Sequence, residues 1–301
     1  MTPYLLSPAR LCGSTSRQPT RLFRRTAVAS TALILVLALF ASVSAGAQDI
    51  AAKGRQIFEK NRGSVVTVQL IVENKFGVAG LSNEAQESKQ EVTGTVIDTS
   101  GLTVVSLSGT DPSSLMQGFM GGAGGEGEDN IKFKMESELS DVKLLCNDGS
   151  ELPAEIVLRD KDLDLAFLRP KSKPSTPLQA LDLSASGKVD VLDDVISINR
   201  LGKVANRAHA ATVERIAAIV QKPRLFYVPG GDASVAGLGC PAFNLDGKVV
   251  GIFVMRSLKS GGGGGMNMFA MSSAPITAIL LPAEQVRKVA AQAPSAKEDQ
   301  K

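Results

Sequence analysis

A serine or cysteine nucleophile needs a base within hydrogen-bond reach to take its proton. In these 301 residues that resource is scarce: the chain has one histidine, His209, in the run NRAHAATVE (206–214). His209 opens a β-branched stretch, so its plain reading is a strand-edge or surface histidine. One histidine and three cysteines do not supply the usual donor set of a zinc site. Met266, Met268 and Met271 could together offer thioethers to copper. Their Gly-rich setting reads more simply as an adaptable apolar surface. The run of five glycines before Met266 is followed by no Lys-Ser/Thr pair, so it is no phosphate loop. No metal and no cofactor are expected.

The elements that must position any chemistry read as short strands. A brief helical pattern at 50–61 comes first. β-Branched runs then recur at 64–73, 91–98, 102–107, 141–146, 151–158 and 163–168. Asn147-Asp148-Gly149 is a strong hairpin turn between two of them. The Pro/Ser/Lys stretch at 170–177 reads as a linker. Strands resume at 194–199, 211–220, 224–228, 248–255 and 276–281, with a second turn at Leu245-Asp246-Gly247. Pro282 opens an amphipathic helix with Val286, Val289 and Ala290 on one face. Alternating helices are missing, which disfavours a parallel sheet. Many short strands and one terminal helix predict two packed antiparallel barrels.

The N-terminus reads as an export signal. Arg21, Arg24 and Arg25 precede an uncharged stretch from Thr26 to Ala47 that ends in Ala45-Gly46-Ala47, a small-x-small cleavage pattern. A signal peptide over 1–47 with cleavage at Ala47/Gln48 places the mature chain in a periplasm or outside the cell. An uncleaved segment would instead be a membrane anchor, because it is just long enough to span. Arg10 and Arg17 also lie in this segment, which has no acid. Without its five arginines, the 33 basic residues fall below the 30 acidic ones. The pI near 8.7 is therefore no argument for a nucleic-acid partner. Cys12 leaves with the signal. Cys146 and Cys240 remain, and nothing in the spacing of so distant a pair predicts a bridge.

The order of elements resembles a known family. VLRDKDLDLAFLRP (157–170), preceded by CNDGSELPAEI, resembles the region around the triad aspartate of HtrA/Deg-type trypsin-like serine proteases. PAFNLDGKVVGI (241–252) resembles the strand pair after their nucleophile. ITAILLPAEQVRKVAAQ (276–292) resembles their closing strand and helix, and DDVISINRLG (193–202) sits where their second barrel begins. The resemblance implies a trypsin-like double β-barrel over 62–292. Barrel 1 would cover 62–170, a linker 171–189, barrel 2 190–282 and a helix 282–292, before a polar tail at 293–301. It also implies a polypeptide or protein ligand.

The catalytic residues carry over only in part. Asp164 matches the triad aspartate, which orients the histidine and stabilises its imidazolium. Ser108, in GLTVVSLSGTDP, falls where the resemblance expects the histidine. In AGLGCPAF (236–243), anchoring on Pro241 puts Leu238 at the serine position, with Gly237 and Gly239 beside it. Pro241 also brings no backbone N–H to a loop that commonly forms the oxyanion hole. Two of three triad positions thus look degenerate, and the expectation is a pseudoprotease that keeps a binding role. Two other readings stand beside it. One is an active endopeptidase using Cys240 or Ser234; the other is an envelope structural or assembly protein. Cys240 reads more plainly as a small buried residue at a tight turn. Leu238 and Ser108 are expected to line the cleft. By the same resemblance the Gly/Met-rich segments 116–130 and 260–271 would border it.

Overall fold

A computed structural model describes residues 49–78, 81–82, 86–110, 134–231, 237–257 and 276–294. The export segment, Ser234, both Gly/Met-rich segments and residues 295–301 lie outside the described residues. The first half runs α1 (49–61), a 3-10 turn at Arg62–Ser64, β1 (Val65–Val78), β2 (Leu81–Ser82), β3 (Gln86–Val96), β4 (Thr103–Ser106), α2 (Leu107–Thr110), β5 (Lys134–Leu145), β6 (Glu151–Asp160) and β7 (Leu165–Pro170). The second half runs β8 (Asp194–Arg200), a 3-10 turn at Lys203–Ala205, β9 (His209–Val220), β10 (Phe226–Pro229), β11 (Pro241–Asn244), β12 (Val249–Ser257), β13 (Ile276–Pro282) and α3 (Ala283–Ala290).

Each half closes into an antiparallel six-stranded barrel. The first has the order β1-β3-β4-β7-β6-β5, closed by β5 on β1, with β2 as an appendage of β1. The second has the order β10-β13-β12-β11-β8-β9. The fold is the expected double barrel with a C-terminal helix. At the Asn147-Asp148-Gly149 turn, Gly149 takes φ +84°, a left-handed conformation that glycine adopts without a steric cost.

Alternation along the strands sorts side chains between three cores. Val66, Val68, Leu70 and Val72 of β1 fill the interior of barrel 1 together with Val105, Val142, Ala166 and Leu168. Val195, Ile216, Tyr227, Cys240, Val250 and Phe253 fill barrel 2. A third cluster takes residues from both barrels. Val65, Val104, Leu165 and Phe167 meet Ile196, Ile198, Phe243, Ile252 and Val254 there, and Ile57 of α1 and Val286 and Val289 of α3 join them. β7 is buried on both faces: Ala166 and Leu168 turn into barrel 1, Leu165 and Phe167 into the shared cluster. A strand held on both sides has its register fixed, because a one-residue slip would reverse both sets. That register places Asp164, the residue before β7.

The 171–189 segment is only partly a tether. Lys171 and Lys173 are exposed, yet Leu178 N–H donates to the Thr99 carbonyl at 3.1 Å and Leu181 N–H to that of Val96 at 2.9 Å. Leu181 and Leu183 are buried in the shared cluster.

Candidate functional site

Asp164 is the centre of a densely bonded polar group between the barrels. It is 8% exposed and takes φ +56°, a region that aspartate tolerates better than most residues. Its backbone carbonyl accepts from Leu107 N–H at 2.9 Å, which docks the start of α2. Its carboxylate accepts four hydrogen bonds. Oδ1 takes the Ser108 amide at 2.7 Å and the Ser108 hydroxyl at 2.5 Å. Oδ2 takes the Ser106 hydroxyl and, at 2.7 Å, the Met255 amide. Met255 belongs to β12, so this carboxylate ties barrel 1 to barrel 2. A buried carboxylate without a cation needs such donors to offset its lost hydration.

Two of these donors carried no signal that sequence reasoning had used. Ser106-Leu107-Ser108 reads as an ordinary polar–apolar alternation. The usable hint was Ser106 itself, a hydroxyl at the end of the fully buried strand Thr103–Ser106, where it must find a partner. Met255 contributes only its main chain, which no side-chain pattern reveals.

The turn 237–240 packs against the same region. Gly239 N–H donates to the Phe253 carbonyl at 2.7 Å, and Phe253 N–H donates to that of Cys240 at 3.0 Å. Gly239's own carbonyl accepts from the Thr95 hydroxyl of β3 at 2.8 Å. Gly239 has φ +82°, and a Cβ there would lie 2.2 Å from the Thr93 carbonyl oxygen. Only glycine fits a turn pressed so closely on another backbone.

Leu238 does not line an open cleft as expected: it is 5% exposed. The bonds on either side of it draw the turn onto β3 and β12, and its apolar side chain is excluded from water. Cys240 is 1% exposed within the core of barrel 2. Burial pushes its thiol far above the ordinary cysteine range, so thiolate is not supplied there. Pro241 opens β11 opposite Ile252, so its missing N–H belongs to a strand start.

His209 has other company. Its Nε2 lies 3.2 Å from the Val65 carbonyl oxygen, and its ring meets Phe58 edge to face at 6.3 Å between centroids. None of these is a partner of Asp164. Burial, and then the charge of Arg200, hold its pKa below the ordinary histidine value. Cys146 and Cys240 are both free and buried. Among the described residues no His/Cys/Asp/Glu cluster could hold a metal, and no helix is long and apolar enough to cross a membrane.

The family model of the trypsin-like peptidase domain matches residues 125–252. That stretch includes Asp164 and the 237–240 turn and begins after Ser108. A protein of Halomonas elongata described as a "Probable periplasmic serine endoprotease DegP-like" is 35% identical over 152 residues, 49% of this chain and 30% of that protein. The matched stretch thus spans less than a third of that relative's length.

Proposed function

We infer, for a chain that carries a trypsin-like serine protease domain of the HtrA type, that it binds polypeptide without cutting it. The observation that carries this reading is at Asp164. The Ser108 hydroxyl and amide fill the carboxylate face that an imidazole N–H would need. The one histidine, His209, bonds elsewhere. A serine hydroxyl in the place of an imidazole offers no base at neutral pH, so a nucleophile beside it would keep its proton. In this reading Asp164, Ser108 and Leu238 mark the three former triad positions. The alternative nucleophile Cys240 is disfavoured by its burial and raised pKa.

A polypeptide is the class of ligand that the trypsin-like peptidase match suggests. Strand β12 pairs with β13 through Ser257, whereas its pairing with β11 ends at Ile252. Among the described residues no strand pairs with Val254–Ser257 on the β11 side. An extended peptide adds to such an edge through main-chain hydrogen bonds, and here the Met255 amide is already held by Asp164. Export to a periplasm or the exterior, with cleavage at Ala47/Gln48, completes the proposal. It draws support from the Thr26–Ala47 pattern and from the printed description of the Halomonas relative.

Incubation of the purified chain with unfolded casein and a serine-reactive phosphonate tests the catalytic part. The expected result is casein binding with neither cleavage nor labelling. Cleavage that disappears in Cys240→Ala or Ser234→Ala would overturn it. N-terminal sequencing of the exported protein should begin at Gln48, and retention of 26–47 would mean an anchor instead.

A further inference from the structure

We propose that the joint between the barrels at Arg200 and His209 is an acid-sensitive latch, loosened when His209 takes up a proton. The proposal is independent of whether the Asp164 region cuts peptides.

The joint is built from both barrels. Arg200 ends β8 and His209 begins β9, directly opposite one another in the ladder. Arg200 Nε donates to the Thr67 hydroxyl of β1 at 3.3 Å, and Nη1 donates to Asn147 Oδ1, in the β5–β6 turn, at 2.7 Å. The same Nη1 lies 3.3 Å from His209 Nδ1 and 3.0 Å from Nε2. Neutral His209 has one ring lone pair to offer the guanidinium, and the tautomer decides which nitrogen carries it. With Nε2–H donating to the Val65 carbonyl, that lone pair is on Nδ1, 3.3 Å from Nη1. A second proton would place an N–H donor and a positive charge against Nη1, which can only donate.

The facing charges deepen that conflict, and only main-chain hydrogen bonds oppose it. From β8 comes Arg200, and from the 3-10 turn before β1 comes Arg62, whose charge also disfavours protonation. α1 contributes the neutral Phe58 ring; the Val65 carbonyl of β1 and the main chain of Arg62 both favour the proton, and burial with the charges of Arg200 and Arg62 outweighs them. Beyond Arg200 stand Arg207, of like charge, and the Cys146 thiol. The nearby carboxylates are engaged: Glu59 with Arg62 at 3.0 Å and Glu91 with Arg207 at 2.6 Å. Among the described residues none bonds to Arg200 or His209.

The direction of the effect follows from linkage. Unfolded, His209 takes its proton at the ordinary histidine value; in the joint it does so only at lower pH. Between those two values the open state binds more protons, so acid favours opening. The disturbance reaches the Asp164 region through β3. The Thr93 hydroxyl lies 3.4 Å from Arg200's main chain, and the Thr93 carbonyl is the surface on which Gly239 rests.

The single histidine makes the test direct, since its imidazole NMR signal needs no assignment. It should titrate below about 6.5 in the folded chain, and Arg200→Gln should move that titration upward. A purely structural arginine would leave it in place. On acidification, amide exchange at Val65, Thr67 and Arg200 should quicken before the barrel interiors do. The unfolding equilibrium should shift by at most about tenfold per pH unit through that window. In His209→Gln, which keeps a donor for Val65 and an acceptor for Arg200, the shift should vanish. Titration at or above the ordinary value, or an equal pH slope in wild type and His209→Gln, would overturn the latch. Should His209→Gln fail to fold, the wild-type titration decides the matter alone.

Discussion

Ser108 differs from an imidazole in one chemical respect that governs the rest: it gives Asp164 the hydrogen bond but has no second nitrogen to offer a nucleophile. Substitution at one position should therefore restore nothing. On the binding-only proposal, Leu238→Ser alone leaves the new hydroxyl without a base, and Ser108→His alone leaves a base without a nucleophile. The double variant should also cleave casein poorly at best, because the 237–240 turn is held against β3 and β12 and a missing oxyanion donor costs ~10²–10³ in rate. Leu238→Ser should in addition cost about 2–3 kcal/mol, measured by denaturant unfolding, since it removes a buried apolar side chain. A loss well below 1 kcal/mol would mean that Leu238 is not packed as described. Asp164 could be picked out by its setting in the LDLAFL run. Its donors could not: Ser106 lies 58 residues before it in sequence, and Met255 acts through its backbone.

At the scale of elements, the 237–240 turn and β3 act as one unit. Gly239→Ala should destabilise the fold by more than about 2 kcal/mol, as its Cβ would press on the Thr93 backbone and its φ is unfavourable for alanine. A fall in Tm of roughly 5 °C or more is the expected readout; an unchanged Tm would show that the turn can lift off β3. The strands themselves were legible because β-branched runs between Gly, Asn and Asp turns carry their own boundaries. Where prediction stopped short, tertiary pairing extended the element. β1 reaches Val78 and β5 begins at Lys134 because the two pair with each other along Thr67–Gly77. Those outer residues are mostly polar and show no sustained alternation that a sequence could display. The same reason applies to Thr93 and Thr95, whose hydroxyls matter only because barrel 2 rests on them.

For the whole molecule, the decisive feature is that one core is shared by the two barrels. Trypsin cleavage after the exposed Lys171 should leave the two fragments associated under native conditions. Leu181 and Leu183 remain buried on the far side of the cut, and the shared cluster holds both halves. Size-exclusion chromatography should show one species and denaturing electrophoresis two; separation without denaturant would contradict the packing. The stretch at 170–177 has the composition of a loose connection, and only the folded context shows Leu178 and Leu181 pinned to β3 and its following turn. The shared cluster has a further consequence for how the chain may be connected. Ile57 of α1 sits beside Gly247, at the turn leading into β12, and α3 leaves β13 where Pro282 pairs with Gly251 of that same strand. The two outermost helices thus dock near one end of one strand. A circular permutant that joins residue 294 to residue 49 through a flexible link, and opens between 171 and 177, would retain every strand pairing and keep its new ends at the surface.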